Sequence, residues 1–194
     1  SARIATKVHA LAYRLLGDTD PYKKAKEESN EVALKLIPRA EQLVFNSENQ
    51  LRTAILIAIA GNVLDFGNIN SYTNAGELIN QFDALINEGL SVDDTPKLIE
   101  ALRKPENQNI LYFSDNAGEI IFDILVFREL KKLDKNITLV VKGKPILTDA
   151  TIEDVKKYKI DKEVDQVLTT DQFAVGVEFE TLPEELKYKL STAD

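Results

Sequence analysis

In "ILYFSDNAGEIIFD" (110–123) an apolar run ends on Asp115 and Asn116, and Glu119 follows within one helical turn. Further on, Lys142, Gly143, Lys144 and Asp149 follow the apolar run "ITLVV", and Thr169, Thr170 and Asp171 follow "VDQVL". Carboxylate and amide oxygens are hard ligands of the kind magnesium and manganese prefer. A cation held by them can accept a phosphate oxygen and lower the pKa of a water, and neighbouring lysines add point charges for the phosphate. If the runs are parallel strands, ligands gather beyond their carboxyl ends, where helix N-termini also favour anions. Capping competes with this reading. Asn116 and Glu119 are spaced as a capping box, Asp149 can cap the helix after it, and each lysine taken singly reads as solvated. What favours a site is convergence, since caps do not require polar groups at every strand end.

"IAGNVLDFG" (59–67) holds a second candidate, with Asn62 and Asp65 on one face of a greasy helix end. Burying both there is costly without partners, and Arg52 is a candidate ion-pair partner or phosphate contact. Gly61–Asn62 as a cap, or Asp65 facing solvent, is the competing reading. "DPYKKAK" (20–26) reads as a surface helix start, and His9 as a structural or surface histidine.

The elements that must position these groups fall into two grammars. Residues 1–104 read as a helical N-terminal domain: 2–16, 22–36 with Pro38 bending or ending it, an all-round apolar helix over 50–67, 75–89 stopping at Gly89, and a short helix with Asp94 as N-cap. Residues 105–194 alternate strand and helix. Strands are expected at 110–114, 137–142 and 164–169. Helices are expected at 117–133, 150–158 and 183–191, the last with Thr181 and Glu184 as a capping box. Near-continuous apolar strands joined by helical crossovers imply a mainly parallel sheet covered on both faces, an α/β three-layer domain.

The composition narrows the chemistry. The 194 residues carry no cysteine and one histidine, so disulfides, thiolate nucleophiles and multi-histidine metal sites are out. A net charge of −8 disfavours a nucleic-acid binder. No apolar run has the length of a bilayer span, and the missing cysteines and signal pattern point to the cytoplasm. Neither G-x-x-x-x-G-K-[ST] nor G-x-G-x-x-G occurs, which disfavours P-loop hydrolases and dinucleotide oxidoreductases. Methionine is absent even at position 1, and the strand–helix alternation calls for another strand after "LSTAD", so the chain reads as a piece of a longer one.

"GNVLDFG" (61–67), "SDNAGEIIFD" (114–123), "VVKGKPILTDATIEDV" (140–155) and "TLPEELKYKLSTAD" (181–194) together resemble the metal-dependent damage-control phosphatases, formerly a domain-of-unknown-function family, in their stand-alone microbial branch. The resemblance implies an N-terminal helical region packed on a Rossmann-like α/β domain. It also implies a divalent cation (manganese, magnesium, cobalt or nickel) held by Asp115, Asn116 and Asp149. Asn62, Asp65 and Glu119 would line the same cleft, with Lys142 or Lys144 offsetting phosphate charge. The implied substrates are small phosphate monoesters, such as sugar phosphates or phosphopantetheine-like metabolites. The family's Lys-Gly-x-x-Asn stretch, which helps bind phosphate, would follow Asp194. No nucleic-acid or membrane partner is expected, and an oligomer is possible. The competing functions are an adenosylmethionine-dependent methyltransferase and a non-catalytic binding module.

Overall fold

The computed structural model describes residues 2–63 and 75–194. The helical half comprises α1 (Ala2–Leu16), α2 (Lys23–Phe45), α3 (Gln50–Val63), α4 (Ala75–Glu88) and α5 (Thr95–Leu102). There follow β1 (Asn109–Phe113), α6 (Glu119–Lys131), β2 (Asn136–Val141), α7 (Ile152–Lys157), β3 (Gln166–Thr169) and α8 (Glu184–Thr192). The three strands are parallel in the order β1-β2-β3. Phe113 lies level with Val140, and Val140 with Leu168, so the loops leaving all three strands emerge along one edge.

Alternation along β2 shows how both faces are covered. Ile137, Leu139 and Val141 join the large core with α6, whereas Val140 turns to Leu182 and Leu186 on the α8 side. This is the expected α/β arrangement, a parallel sheet with helices on either face. The large core runs from α2 and α3 through α6 to β2, and so crosses residue 104. Helix α6 is apolar nearly all round because it lies between the sheet and α2 and α3. Gly61 permits its closest approach to α3, since a Cβ there would stand 2.5 Å from Phe122 Cδ2. Phe122 also stacks on Phe82 of α4, with ring centroids 5.5 Å apart, a geometry worth about 1 kcal/mol beyond area burial.

Several local expectations are corrected. Helix α2 runs through Pro38 to Phe45 instead of ending there. Proline removes one donor and leaves the Leu34 carbonyl without its helical partner, but Leu34 is exposed, which gives that carbonyl access to water. Beyond the proline, Arg39 anchors the helix to Asp83 through bonds of 3.0 and 2.7 Å. Asp94 occupies the N-cap position of α5 without a capping bond. Its neighbour Asp93 takes the Thr95 N–H at 3.0 Å instead, while Asp94 pairs with Lys97. Thr181 and Glu184 form no capping box, because Pro183 is the N-cap of α8 and Thr181 accepts from Gln172 at 2.7 Å.

Candidate active site

The loop after β1 and the loop before α7 form a short antiparallel pair. Ala117 N–H donates to Thr148 O and Ala150 N–H donates to Asp115 O, both at 2.8 Å, and Asn116 faces Asp149 as a bridge partner. Directly opposed residues of an antiparallel pair project their side chains to the same side. Thr148 Oγ1 donates to Asn116 Oδ1 at 2.9 Å, which fixes the amide.

Neither competing cap forms as the spacing suggested. Thr151 is the N-cap residue of α7, and its N–H and hydroxyl both reach Asp154 Oδ2 at 2.9 Å, leaving Asp149 free of capping duty. Only half of the Asn116–Glu119 box exists: Asn116 N–H donates to Glu119 Oε2 at 3.3 Å, and Gly118 is the N-cap of α6.

Asp149 is buried, and its Oδ2 lies 3.3 Å from Lys142 Nζ. Burial foremost, with the nearby Asp115 charge adding to it, lifts the Asp149 pKa to about 6 despite Lys142 and Lys26. Lys142 is not the solvated lysine its sequence context suggests. It is buried and donates to the carbonyls of Ala174, Val175 and Gly176 at 3.0, 3.3 and 2.9 Å. An ammonium has three N–H donors, so these acceptors and Asp149 occupy it fully. Lys144 is exposed and lines, with Tyr13, Arg14 and Phe173, a cavity of about 630 Å³ beside the loop.

Asn62, at the end of α3, donates from Nδ2 to Asp115 Oδ2 at 3.1 Å and to Glu119 Oε2 at 2.7 Å. It thus separates two carboxylates that would otherwise repel, and burial lifts the Glu119 pKa, with Asp115 adding to the rise. Asp65 lies outside the described residues. Arg52 pairs with Asp93 at 2.7 Å. At the third strand end Thr170 Oγ1 accepts the Gly143 N–H at 3.3 Å, and Thr169 donates to Asp171. These groups brace the β2 loop and do not join the pair at Asn116 and Asp149.

Two buried features escaped the reading of the residues. "DPYKKAK" does start a helix with Tyr22, Lys23 and Lys24 exposed, but within it Lys26 is 3% exposed and ion-paired to Asp20 at 2.7 Å. Asn30, one turn later, is fully buried. Their signal was present as spacing, since 26, 29/30 and 33 continue the stripe formed by Leu36, Ala40 and Val44. Asp123 is also fully buried. It accepts from Tyr112 Oη at 2.7 Å and its Oδ2 has no partner among the described residues, so burial pushes its pKa up to about 8.

Among the described residues, no three His, Cys, Asp or Glu side chains are placed to hold an ion. Asp115, Asn116 and Asp149 would offer an ion two carboxylates and an amide, all oxygen, and the Asp115 charge that raises the Asp149 pKa is one a cation would offset. That chemistry fits a hard divalent ion keeping several waters.

A parallel sheet with a carboxylate–amide pair at its strand ends defines a class of α/β domain, and the sequence comparison narrows it. The pattern of the damage-control phosphatase ARMT1-like domain matches residues 2–194. The chain belongs to that family. It is 36% identical over 194 residues to a damage-control phosphatase of Archaeoglobus fulgidus, a match covering 100% of this chain and 66% of that protein. A mouse 4'-phosphopantetheine phosphatase is 30% identical over 142 residues, covering 68% of this chain and 17% of its own length. The crystal structure of a DUF89 family protein from Pyrococcus horikoshii superposes with a TM-score of 0.83 at 28% identity, covering 97% of this chain and 63% of that one. The chain thus spans just under two thirds of the archaeal relatives it matches.

Proposed function

We propose that this chain carries the cation site of a metal-dependent phosphatase acting on small phosphate monoesters, in the sugar-phosphate or phosphopantetheine-like class. The observation that carries the reading is the pairing of Asn116 with Asp149, which sets an amide and a buried, charge-strained carboxylate on one side of the loop pair next to Asp115. Asp115, Asn116 and Asp149 are the residues that would hold manganese, magnesium, cobalt or nickel. Bound there, such an ion supplies a Lewis acid for a phosphate oxygen and lowers the pKa of a water.

The other groups orient and attract. Asn62 fixes Asp115 and Glu119 through one amide, and Lys142 holds Asp149 in place instead of touching phosphate. Lys144 and Arg14, exposed beside the cavity, draw the anionic ester in. Asp65 stays a candidate wall of the same cleft on its motif alone. Phosphoryl transfer asks for positioning and charge stabilisation above all, which suits a site with neither histidine nor cysteine.

The test is an assay of the full-length protein on a panel of phosphate monoesters, with manganese and with chelator. Metal-dependent release of phosphate that disappears in Asp115→Ala and Asp149→Ala is the expected result. Hydrolysis that persists in the double variant overturns the assignment.

A further inference from the structure

The two loops of the candidate site are joined by more than their own pairing. Asn30, in the middle of the helical half, is fully buried and uses both ends of its amide. Its Oδ1 accepts the Gly118 N–H at 2.7 Å, and its Nδ2 donates to Asp154 Oδ1 at 3.0 Å. Gly118 stands two residues past Asn116 with φ at +85°, a conformation costly for any residue but glycine. The other oxygen of Asp154 holds Thr151, two residues past Asp149, by its N–H and its hydroxyl. One side chain from α2 therefore grips the far end of one loop directly and the far end of the other through a single carboxylate. Asp20–Lys26, one turn earlier on the same inner face, pins that stretch of helix where Lys26's charge reaches Asp149.

We propose that Asn30 and Asp154 are positioning residues, a strut by which the helical half fixes the spacing between Asn116 and Asp149 and so sets the affinity of the cation site. The affinity part rests on the metal-site reading above, but the mechanical part does not. Outer partners that orient ligands typically change metal affinity by about 10- to 100-fold when removed. The hydrogen-bond pattern supplies its own control, because the amide and the carboxylate can trade places.

Asn30→Asp alone keeps an acceptor for the Gly118 N–H but sets two carboxylates face to face. Asp154→Asn alone sets two amide N–H₂ groups face to face, or turns one toward the Thr151 donors. In the double variant every bond has a donor and an acceptor again, reversed only between positions 30 and 154.

The experiment measures two things on the wild type, both single variants and the double variant. The first is Mn²⁺ affinity, by titration of the free-ion spin resonance signal. The second is hydrogen exchange at the Ala117 and Ala150 amides, which close the loop pair, with the Val126 amide inside α6 as an internal standard. Expected are about 10- to 100-fold weaker Mn²⁺ binding in each single variant and faster exchange at 117 and 150 relative to 126. The double variant returns both to within about threefold of wild type, well inside the loss in the single variants.

Single variants that unfold more easily yet keep wild-type affinity and relative exchange reduce Asn30 to a packing residue and overturn the proposal. So does a double variant no better than the singles. A wild type that ignores Mn²⁺ while the exchange pattern still breaks and recovers defeats the metal-site reading and leaves the strut standing.

Discussion

Lys142→Met removes the one ammonium that serves three carbonyls and Asp149. Methionine fills a similar volume, so the loss is electrostatic. Taking away one partner of a buried ion pair costs about 3–5 kcal/mol, because the other charge is left without compensation. For a domain of this size that is a fall of roughly 6–20 °C in Tm. The deficit depends on pH in a definite direction. The Asp149 pKa is already raised to about 6, and Lys142 is the strongest influence holding it down. A carboxyl whose folded pKa exceeds its unfolded value stabilises fully at low pH and loses that contribution as pH rises through the folded value. Lys142→Met is therefore closest to wild type near pH 5 and furthest from it near pH 8. Mn²⁺ narrows the gap at pH 8 by neutralising the stranded carboxylate. Lys144→Met is the control, since Lys144 is exposed and such changes fall within about 0.5 kcal/mol. Thermal melts of the three proteins at both pH values, with and without Mn²⁺, make the comparison. A Lys142→Met melt indistinguishable from wild type, or equal losses in both variants, refutes the reasoning.

Other outcomes follow from single contacts. Asp123, with its pKa pushed up to about 8, makes the fold lose stability as pH rises from about 4 to 8, because the folded state holds the proton over that window. Asp123→Asn flattens this slope in urea titrations at pH 5, 6.5 and 8; an unchanged slope contradicts it. Gly143→Ala would set a Cβ 2.3 Å from the Asp171 backbone, which cannot rotate away as a side chain can. A loss of about 3 kcal/mol, the upper end of overpacking costs, is expected in chemical denaturation, and a neutral result would mean the two loops are not in contact.

How much of this was legible in the residues depends on range. The three apolar runs and the helices between them reflect local pattern, and β1, β2 and β3 lie within two residues of the expected bounds. The comparisons bear out the family resemblance. Polar groups along one sheet edge follow from parallel topology, and the family resemblance singles out Asp115, Asn116 and Asp149 among them, but the bridge that sets Asn116 opposite Asp149 follows from neither. Thr151 relieves Asp149 of capping only because Asp154 sits three residues on, in competition with an equally good sequence cap. Lys142 and Lys144 look alike in "KGK", yet one faces the carbonyls of residues 174–176 and the other faces solvent. That difference is set by a loop more than thirty residues away. The burial of Lys26 inside a surface helix start, and the partners of Asn30, are hidden for the same reason. A polar residue on a helical stripe is taken as surface until a distant glycine N–H or aspartate shows it has a partner inside. Pro38 taught the converse, since an exposed carbonyl four residues back is enough for a helix to run through it.

The most direct measurement is an anomalous difference map from crystals of the full-length protein grown with Mn²⁺. The account requires one strong peak within coordination distance of oxygens from Asp115, Asn116 and Asp149 together, with water completing the shell. A map with no peak there, or with the ion bound elsewhere while these three side chains point apart, contradicts it.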